Sequence, residues 1–390
     1  MSTPSLTVVA DVDTGIDDAL ALIYLYRLHL AGRIDLSVTT SAGNCTADDA
    51  ARNSAEVLRV AADQWGPSSL GRHRAQRGGG SDVSIPKITI GAAQPRVLPL
   101  VTTPETHGPR GLGYWLGEAG DARQAQAAES PGQAEESPAP GGSTSGGTAA
   151  AAVAHWAEAQ PTHLLVCGPA TNLAWAVEHA PEVLRGCQVV IMGGAFGYPG
   201  NTTPVAEWNA WVDPHALKHA LQHWPTGAPL PVIAPLNMTE QVLLTPKRLR
   251  SWVRSLDAGQ AIGQDIGQQA GRQADRQGDW EGTQAMAQLG QLLTAALEFY
   301  FEFHEQVGVG YQAQIHDLAA AMVLLEDVGF EATEFHVDVE ANSELTRGAT
   351  LAFDPNPPFG RQLTPNARVL ERLDATRVLE RFGELLAGKL

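Results

Sequence analysis

An alternation of short apolar segments with longer helical segments near the N-terminus limits the fold of this chain more than any other feature. The segment LTVVAD (6–11) is typical of a buried strand, and residues 17–32 are typical of a helix. A second strand at 34–44 and a second helix at 46–65 follow. Such an alternation predicts parallel strands joined by right-handed crossovers. We therefore expect an α/β fold with a mostly parallel central sheet flanked by helices.

The same alternation returns in the second half of the chain. Residues 162–181 suggest a strand, a turn and a helix, and 187–196 and 230–237 suggest further apolar strands. Residues 365–388 are predicted to form a closing helix. Because no linker separates two cores, we predict a single domain over residues 1–390.

Three segments depart from this pattern in composition. Residues 119–148 are rich in Ala, Gly, Ser, Pro and Gln, and residues 257–284 are rich in Gln and Gly. Such segments have few side chains with which to build a core, so we predict flexible insertions at both places. Residues 71–82 are a smaller candidate of the same kind.

Charge and cysteine content limit the partners and the compartment. The net charge of −17 makes electrostatic attraction to nucleic acid or to anionic membranes unfavourable. The three cysteines form no CxxC pair, which argues against a thiolate metal site and a disulfide framework. With no secretory signal and no apolar run of membrane-spanning length, the expected location is the cytoplasm.

Four aspartates directly follow the first apolar strand: Asp11, Asp13, Asp17 and Asp18. Ligands of parallel sheets bind beyond the carboxyl ends of the strands, where this group is expected to lie. Helix capping and the helix dipole explain one or two of these carboxylates but not four. Carboxylates this close raise one another's pKa unless a cation neutralises them. The cluster therefore favours a site for an oxygen-seeking ion such as Ca²⁺ or Mg²⁺.

Two other interpretations of the cluster can be compared with the sequence. An EF-hand loop beginning at Asp11 would need Gly and Glu where Ile16 and Leu22 stand, so it is excluded. A phosphoaspartate phosphatase also places two aspartates one residue apart after its first strand, as Asp11 and Asp13 stand here. This second interpretation stays open as an alternative.

Two later segments carry further polar candidates. Asn201, Glu207 and Asn209 follow an apolar strand on an irregular stretch, where amides and carboxylates can hydrogen-bond sugar hydroxyls. Backbone turn bonding explains Asn201 well and Glu207 poorly. His316 and Asp317 lie where a loop enters a helix, a position that an N-cap aspartate also explains.

Taken together, these segments resemble the inosine–uridine preferring nucleoside hydrolase family. The motifs that carry the resemblance span nearly the whole chain in the same order: DVDTGIDDALAL (11–22), TTSAGN (39–44), THGPRGLG (106–113), CGPATNLA (167–174), GGAF…GNTTPVAEWNAWVDP (193–214), IHD (315–317) and VDVEANSELTRGAT (337–350).

The resemblance implies hydrolysis of the N-glycosidic bond of ribonucleosides to free base and ribose, with a tightly bound Ca²⁺. Asp13, Asp18, Asp317 and the backbone carbonyl of Thr171 would bind the ion. Asp13 would also take a proton from a water molecule held there, and His316 would protonate the departing base. A ring of carboxylates suits this reaction, because positive charge builds on the ribose in an oxocarbenium-like transition state.

The resemblance also implies how the nucleoside is held. Asp17 and Asn209 would bind the 2′-hydroxyl, Asp317 the 3′-hydroxyl, and Asn201 with Glu207 the 5′-hydroxyl. The remaining substrate contacts would come from Asn44 beside the ribose and from His107, Tyr300 and His304 beside the base, and Phe196 and Trp208 are further candidates for the cavity wall. The family resemblance suggests a homodimer or homotetramer. The alternative from another class is a nucleoside- or ribose-binding protein without catalysis.

Overall fold

The computed structural model describes residues 6–66, 85–116, 147–264, 287–358, 360 and 362–390. The predicted insertion at 119–148 lies outside the described residues except for its last two, and the candidate at 71–82 lies wholly outside. Of the predicted insertion at 257–284, residues 257–264 continue a helix and the rest lies outside.

The described residues form two sheets. Their strands are β1 (Leu6–Val12), β2 (Ile34–Thr40), β3 (Ile88–Ile90), β4 (His163–Val166), β5 (Gln188–Met192), β6 (Val232–Ala234), β7 (Leu243–Leu244), β8 (Ala313–Gln314), β9 (Phe330–Val339), β10 (Thr350–Phe353) and β11 (Ala367–Leu373).

The larger sheet has nine strands in the order β10-β9-β11-β6-β5-β4-β1-β2-β3. Every strand from β11 to β3 pairs in parallel with its neighbours in that range, whereas β9 and β10 pair antiparallel at one edge. The short strands β7 and β8 form a separate antiparallel pair. The prediction of a mostly parallel central sheet is confirmed.

The predicted closing helix at 365–388 is wrong in its first half. Residues Ala367–Leu373 form β11, which pairs with β6 on one side and β9 on the other, and the helix begins only at Ala375. The sequence ARVLERL fits either structure locally, so pairing with two distant strands decides between them.

Helices cover both faces of the larger sheet. They are α1 (Ile16–Leu30), α2 (Ala47–Trp65), α3 (Pro104–His107), α4 (Ala149–Ala159), α5 (Thr171–His179), α6 (Trp208–Val212), α7 (Pro214–Gln222), α8 (Leu236–Thr239), α9 (Pro246–Gln264), α10 (Gln288–Gln306), α11 (Asp317–Leu324) and α12 (Ala375–Leu386), with a 3₁₀ helix at Pro181–Leu184. In the part of the chain described here, no helix combines the length and apolarity needed to cross a membrane.

Alternating side chains of β1 divide the core into two layers. Val8, Ala10 and Val12 join the cluster that contains α1, α10 and α11, whereas Val9 joins the cluster that contains α4, α5 and α7. A strand buried on both faces is apolar throughout, as the LTVVAD segment predicts. The polar residues that follow the strands therefore emerge at the carboxyl edge of the sheet.

Candidate active site

The predicted aspartates meet beyond the carboxyl ends of β1 and β4. Asp13 lies in the turn before α1, Asp17 and Asp18 lie in the first turn of α1, and Asp317 lies in the first turn of α11. Carboxylate oxygens of Asp17, Asp18 and Asp317 lie within 4.8 Å of one another, and all three residues are buried. The structure thus brings residues about 300 positions apart in the sequence into one acidic cluster.

Asn44 connects Asp13 to Asp18. Its backbone N–H donates to Asp13 Oδ2 at 2.7 Å, and its side-chain Nδ2 lies 3.2 Å from both Asp13 Oδ1 and Asp18 Oδ2. Asp18 Oδ2 also accepts from the Gly15 N–H at 2.8 Å. Asp18 Oδ1 has no hydrogen-bond partner among the described residues, although it is buried. A buried carboxylate oxygen without a partner fits a site built to bind a cation.

Two glycines allow this close packing. A Cβ on Gly43 would lie 2.1 Å from Asp13 Oδ2, and a Cβ on Gly168 would lie 2.5 Å from Ser41 Oγ. Either side chain would displace the loop that carries it. The glycines of the TTSAGN and CGPATNLA motifs are therefore needed for close backbone approach to Asp13.

Burial and mutual repulsion perturb the cluster strongly. Burial, reinforced by the charge of Asp18, raises the pKa of Asp17 to about 7. Burial and the same neighbouring charge raise the pKa of Asp13 well above its usual range, and burial with the charge of Asp17 does so for Asp317. A divalent cation among these carboxylates would favour their ionised forms.

The structure does not support Thr171 as a cation ligand. Thr171 is the first residue of α5, so its backbone carbonyl belongs to the hydrogen-bond ladder of that helix, and its hydroxyl donates to Asp213 at 2.7 Å. Cys167, four residues earlier, lines the cavity. Its backbone carbonyl accepts from Asn209 Nδ2 at 2.6 Å. The backbone carbonyl that directly follows β4 thus belongs to Cys167, whereas Thr171 already lies in α5.

Above the cluster lies a cavity of about 540 Å³, large enough for a nucleoside. Asp17 and Asp317 line its floor, whereas Asp13 and Asp18 are fully buried and not among its lining residues. The other predicted site residues that line it are Asn44, His107, Asn201, Glu207, Asn209 and His316, together with Trp208, Tyr300 and His304; Phe196 does not.

Asn209 and Glu207 lie on the same wall of the cavity, but only Asn209 has a side-chain oxygen without a hydrogen-bond partner among the described residues. Asn209 Oδ1 is buried and has no partner among the described residues, so it is free to accept from a sugar hydroxyl. Glu207 instead caps α6: its carboxylate accepts from the backbone N–H groups of Asn209 at 2.7 Å, Ala210 at 3.0 Å and Gly194 at 2.9 Å. The sequence argument that backbone bonding suits Glu207 poorly is wrong, because this residue is the N-cap of α6.

Asn201 is exposed at the cavity rim. Its Oδ1 accepts from the Trp208 N–H at 3.0 Å and from the Thr202 hydroxyl at 3.2 Å. The predicted turn bonding is therefore present, and the side-chain amide N–H groups stay available to a ligand.

Histidines define the opposite end of the cavity. Burial lowers the pKa of both His107 and His316 to about 3, so both rings are neutral near pH 7 in the free protein. His304 uses both ring nitrogens inside the protein: Nδ1 lies 2.8 Å from the Tyr300 carbonyl, and Nε2 accepts from the Gln314 N–H at 3.4 Å. His304 therefore forms part of the wall without a ring nitrogen to offer to a base.

Asp11 lies beneath the site and does not line the cavity. Its Oδ1 accepts from the Thr39 hydroxyl at 2.7 Å and from Asn172 Nδ2 at 2.8 Å. A phosphoaspartate phosphatase would need this aspartate as an accessible nucleophile. Full burial of Asp11 removes the support for that alternative.

Sequence reasoning missed three cavity residues that matter here. Cys167 is described above, and Tyr198 donates to Glu240 at 2.8 Å on the rim. The segment LNMTE (236–240) gave no signal in the sequence, because it mixes apolar and polar residues and forms only one helical turn after β6, with Glu240 as the C-cap.

Known proteins resemble this chain over nearly its whole length. The sequence profile of the inosine–uridine preferring nucleoside hydrolase family matches residues 8–380. The chain is 28% identical over 394 aligned positions to the pyrimidine-specific ribonucleoside hydrolase RihA of Salmonella paratyphi C (strain RKS4594), covering 99% of this chain and 98% of the relative. It is likewise 28% identical to RihA of Citrobacter koseri, with 98% of each chain covered.

Solved structures share the fold. The purine-preferring ribonucleoside hydrolase from Gardnerella vaginalis superposes with a TM-score of 0.66 at 22% identity, covering 98% of each chain. The plant nucleoside hydrolase PpNRh1 superposes with a TM-score of 0.65 at 23% identity, covering 98% of this chain and 99% of its own. With a family match over nearly its whole length, the chain belongs to the inosine–uridine preferring nucleoside hydrolase family and is an enzyme of the N-ribosyl hydrolase class.

Proposed function

We propose that this protein hydrolyses the N-glycosidic bond of ribonucleosides with the aid of one Ca²⁺ ion. The observation that carries the proposal is the buried cluster of Asp17, Asp18 and Asp317 beneath a cavity of nucleoside size. A buried cluster of this charge is tolerable with a divalent cation, and oxygen ligands favour Ca²⁺ or Mg²⁺ over softer metals.

The residues present fit such an ion. The ion would be bound by Asp13, Asp18 and Asp317 and by the backbone carbonyl of Cys167. Asp18 Oδ1, which has no hydrogen-bond partner among the described residues, is one oxygen free to coordinate it. Bound there, the ion supplies positive charge that neutralises the carboxylates and acidifies water. Asp17 and Asn209 would bind the ribose hydroxyls on the cavity side.

The chain's own residues then divide the reaction between two ends of the cavity. Beneath the floor, Asp13 accepts a proton from the attacking water as the water oxygen bonds to C1′ of the ribose. The C1′–N bond breaks, and its electron pair leaves with the base. At the far end, His316 gives a proton to that base. Because burial keeps the His316 ring neutral in the free protein, the ring first takes up this proton from solvent, which the negative charge developing on the base favours.

The test is a substrate panel of uridine, cytidine, inosine and adenosine, with detection of reducing sugar and free base before and after chelation of calcium. We expect equal amounts of ribose and base, and loss of both when the chelator is in excess. Nucleoside binding without release of ribose would favour the alternative of a binding protein. The panel also measures the base preference, since the two RihA relatives are named as pyrimidine-specific and the Gardnerella structure as purine-preferring.

A further inference from the structure

The histidines that line the cavity differ in which ring nitrogen carries the proton. In His107, Nδ1 accepts from the Ile16 N–H at 3.1 Å. A backbone amide can only donate, so Nδ1 holds a lone pair and the ring proton resides on Nε2. His107 is therefore a fixed hydrogen-bond donor toward the cavity in its neutral form.

His316 is held in the opposite tautomer by Thr239. The Thr239 hydroxyl lies 2.8 Å from His316 Nδ1 and 3.2 Å from the Pro235 carbonyl oxygen. A hydroxyl has one proton, and the Pro235 carbonyl can only accept, so this proton points to Pro235. The remaining lone pair of Thr239 Oγ1 accepts from His316 Nδ1–H, which leaves the His316 lone pair on Nε2.

The Thr239–His316 hydrogen bond is shielded from water. Thr239 is fully buried and His316 is 7% exposed. No described residue hydrogen-bonds His316 Nε2, whereas Nδ1 is occupied. Loss of the Thr239 hydroxyl would leave Nδ1 without an acceptor and allow the ring to change tautomer or rotate.

We propose that Thr239 is a positioning residue that fixes the tautomer and orientation of His316, so that Nε2 is the nitrogen that faces the departing base. This inference rests on the proposed function. In it, the lone pair of His316 Nε2 takes up a proton from solvent and passes that proton to the base as the C1′–N bond breaks, while Nδ1–H stays bonded to Thr239. His107, fixed as an Nε2–H donor, then hydrogen-bonds the same base without transferring its proton. The opposite tautomers give the two histidines different roles.

The test compares T239V, T239S and the unchanged protein on two substrates. Uridine needs a proton on its leaving base, whereas p-nitrophenyl riboside releases a stable anion that needs none. We expect T239V to lower kcat for uridine about 100-fold, the lower end of the effect of general acid catalysis, and to change kcat for the p-nitrophenyl compound less than about 3-fold. Because serine keeps the hydroxyl, T239S should restore most of the uridine activity.

A matched control lies outside the cavity. The Thr89 hydroxyl lies 2.7 Å from His155 Nδ1, so T89V removes the same kind of hydrogen bond from a pair that does not line the cavity. T89V should leave both activities unchanged. Equal losses on both substrates in T239V, or full uridine activity in T239V, would overturn the proposal.

A spectroscopic measurement separates this inference from the proposed function. ¹⁵N NMR of histidine-labelled protein without substrate reports which ring nitrogen is protonated, and a His316→Gln variant identifies the signals of His316. We expect an Nδ1–H tautomer in the unchanged protein and in T239S, with its loss in T239V. An Nε2–H tautomer in the unchanged protein would refute the role of Thr239 even if nucleosides are hydrolysed. Absence of hydrolysis of both substrates by the unchanged protein would refute the proposed function, while the tautomer would still be measured.

Discussion

Removal of calcium should make the stability of this protein fall as the pH rises from 5 to 8. In the protein without calcium, burial and the charge of Asp18 raise the pKa of Asp17 from its ordinary 3.8 to about 7. The folded chain therefore holds this proton more tightly than the unfolded chain between about pH 4 and 7. Where the folded state binds more protons, the free energy of unfolding decreases as the pH increases.

The magnitude follows from the pKa of Asp17. Raising a pKa from 3.8 to about 7 lowers the free energy of unfolding by about 4 kcal/mol once the carboxyl ionises above pH 7. Of this, about 3 kcal/mol is lost between pH 5 and pH 8, because about 1–2 kcal/mol is already lost between the unfolded pKa and pH 5. The entropy of unfolding of 390 residues is about 0.8 kcal/mol/K near the midpoint, so the thermal midpoint in chelator should fall by about 3 °C from pH 5 to pH 8. Calcium at 1,000 times its Kd would recover about 4 kcal/mol by binding only the folded state.

The assay is a thermal midpoint measured at pH 5 and pH 8, each with chelator and with calcium. We expect a gain on adding calcium that is large at pH 8 and small at pH 5. Asp18→Asn should reduce both the pH dependence and the calcium gain, because it removes one charge from the cluster. Asp327→Asn is the control: Asp327 accepts from Arg381 at 2.8 Å outside the cavity, so this change should lower every midpoint alike. A midpoint in chelator that stays constant or rises from pH 5 to pH 8, with no response to calcium, would refute the reasoning.

Three further changes test other parts of the site. Asp13→Asn should abolish nucleoside turnover, by at least about 100-fold in kcat, since an amide cannot accept the proton from water; retained kcat would rule out Asp13 as the base. Gly43→Ala should reduce turnover and the calcium response together, because its Cβ would lie 2.1 Å from Asp13 Oδ2, whereas Gly186→Ala meets nothing within 4 Å and should leave both unchanged. Glu207→Gln should lower the free energy of unfolding, measured by urea denaturation, by about 1–3 kcal/mol. The new NH₂ group would face a backbone N–H from which the Glu207 carboxylate now accepts a hydrogen bond, so unchanged stability would contradict the capping role.

Local sequence was sufficient where a structure depends on neighbouring residues. The apolar run of β1, the Asp-rich turn and the start of α1 predict one another because strand, turn and helix follow within a few residues. The motif order also identified most of the polar residues that meet at the cavity, because parallel strands place their carboxyl ends at one edge. The prediction of a helix over the whole of 365–388 failed because the strand β11 forms only through its pairing with β6 and β9.

Other features depend on contacts between residues far apart in the chain. The Ile16 N–H reaches His107 across 91 positions, and the Thr239 hydroxyl reaches His316 across 77. The first contact fixes the tautomer of His107, and the second underlies the tautomer proposed for His316; no spacing in the sequence encodes either contact. The sequence by itself determined which chemical groups the site contains and that a cation suits them. Only the tertiary structure decided which nitrogen, carbonyl and carboxylate oxygen faces the cavity, because orientation is set by packing and hydrogen bonding across separate elements.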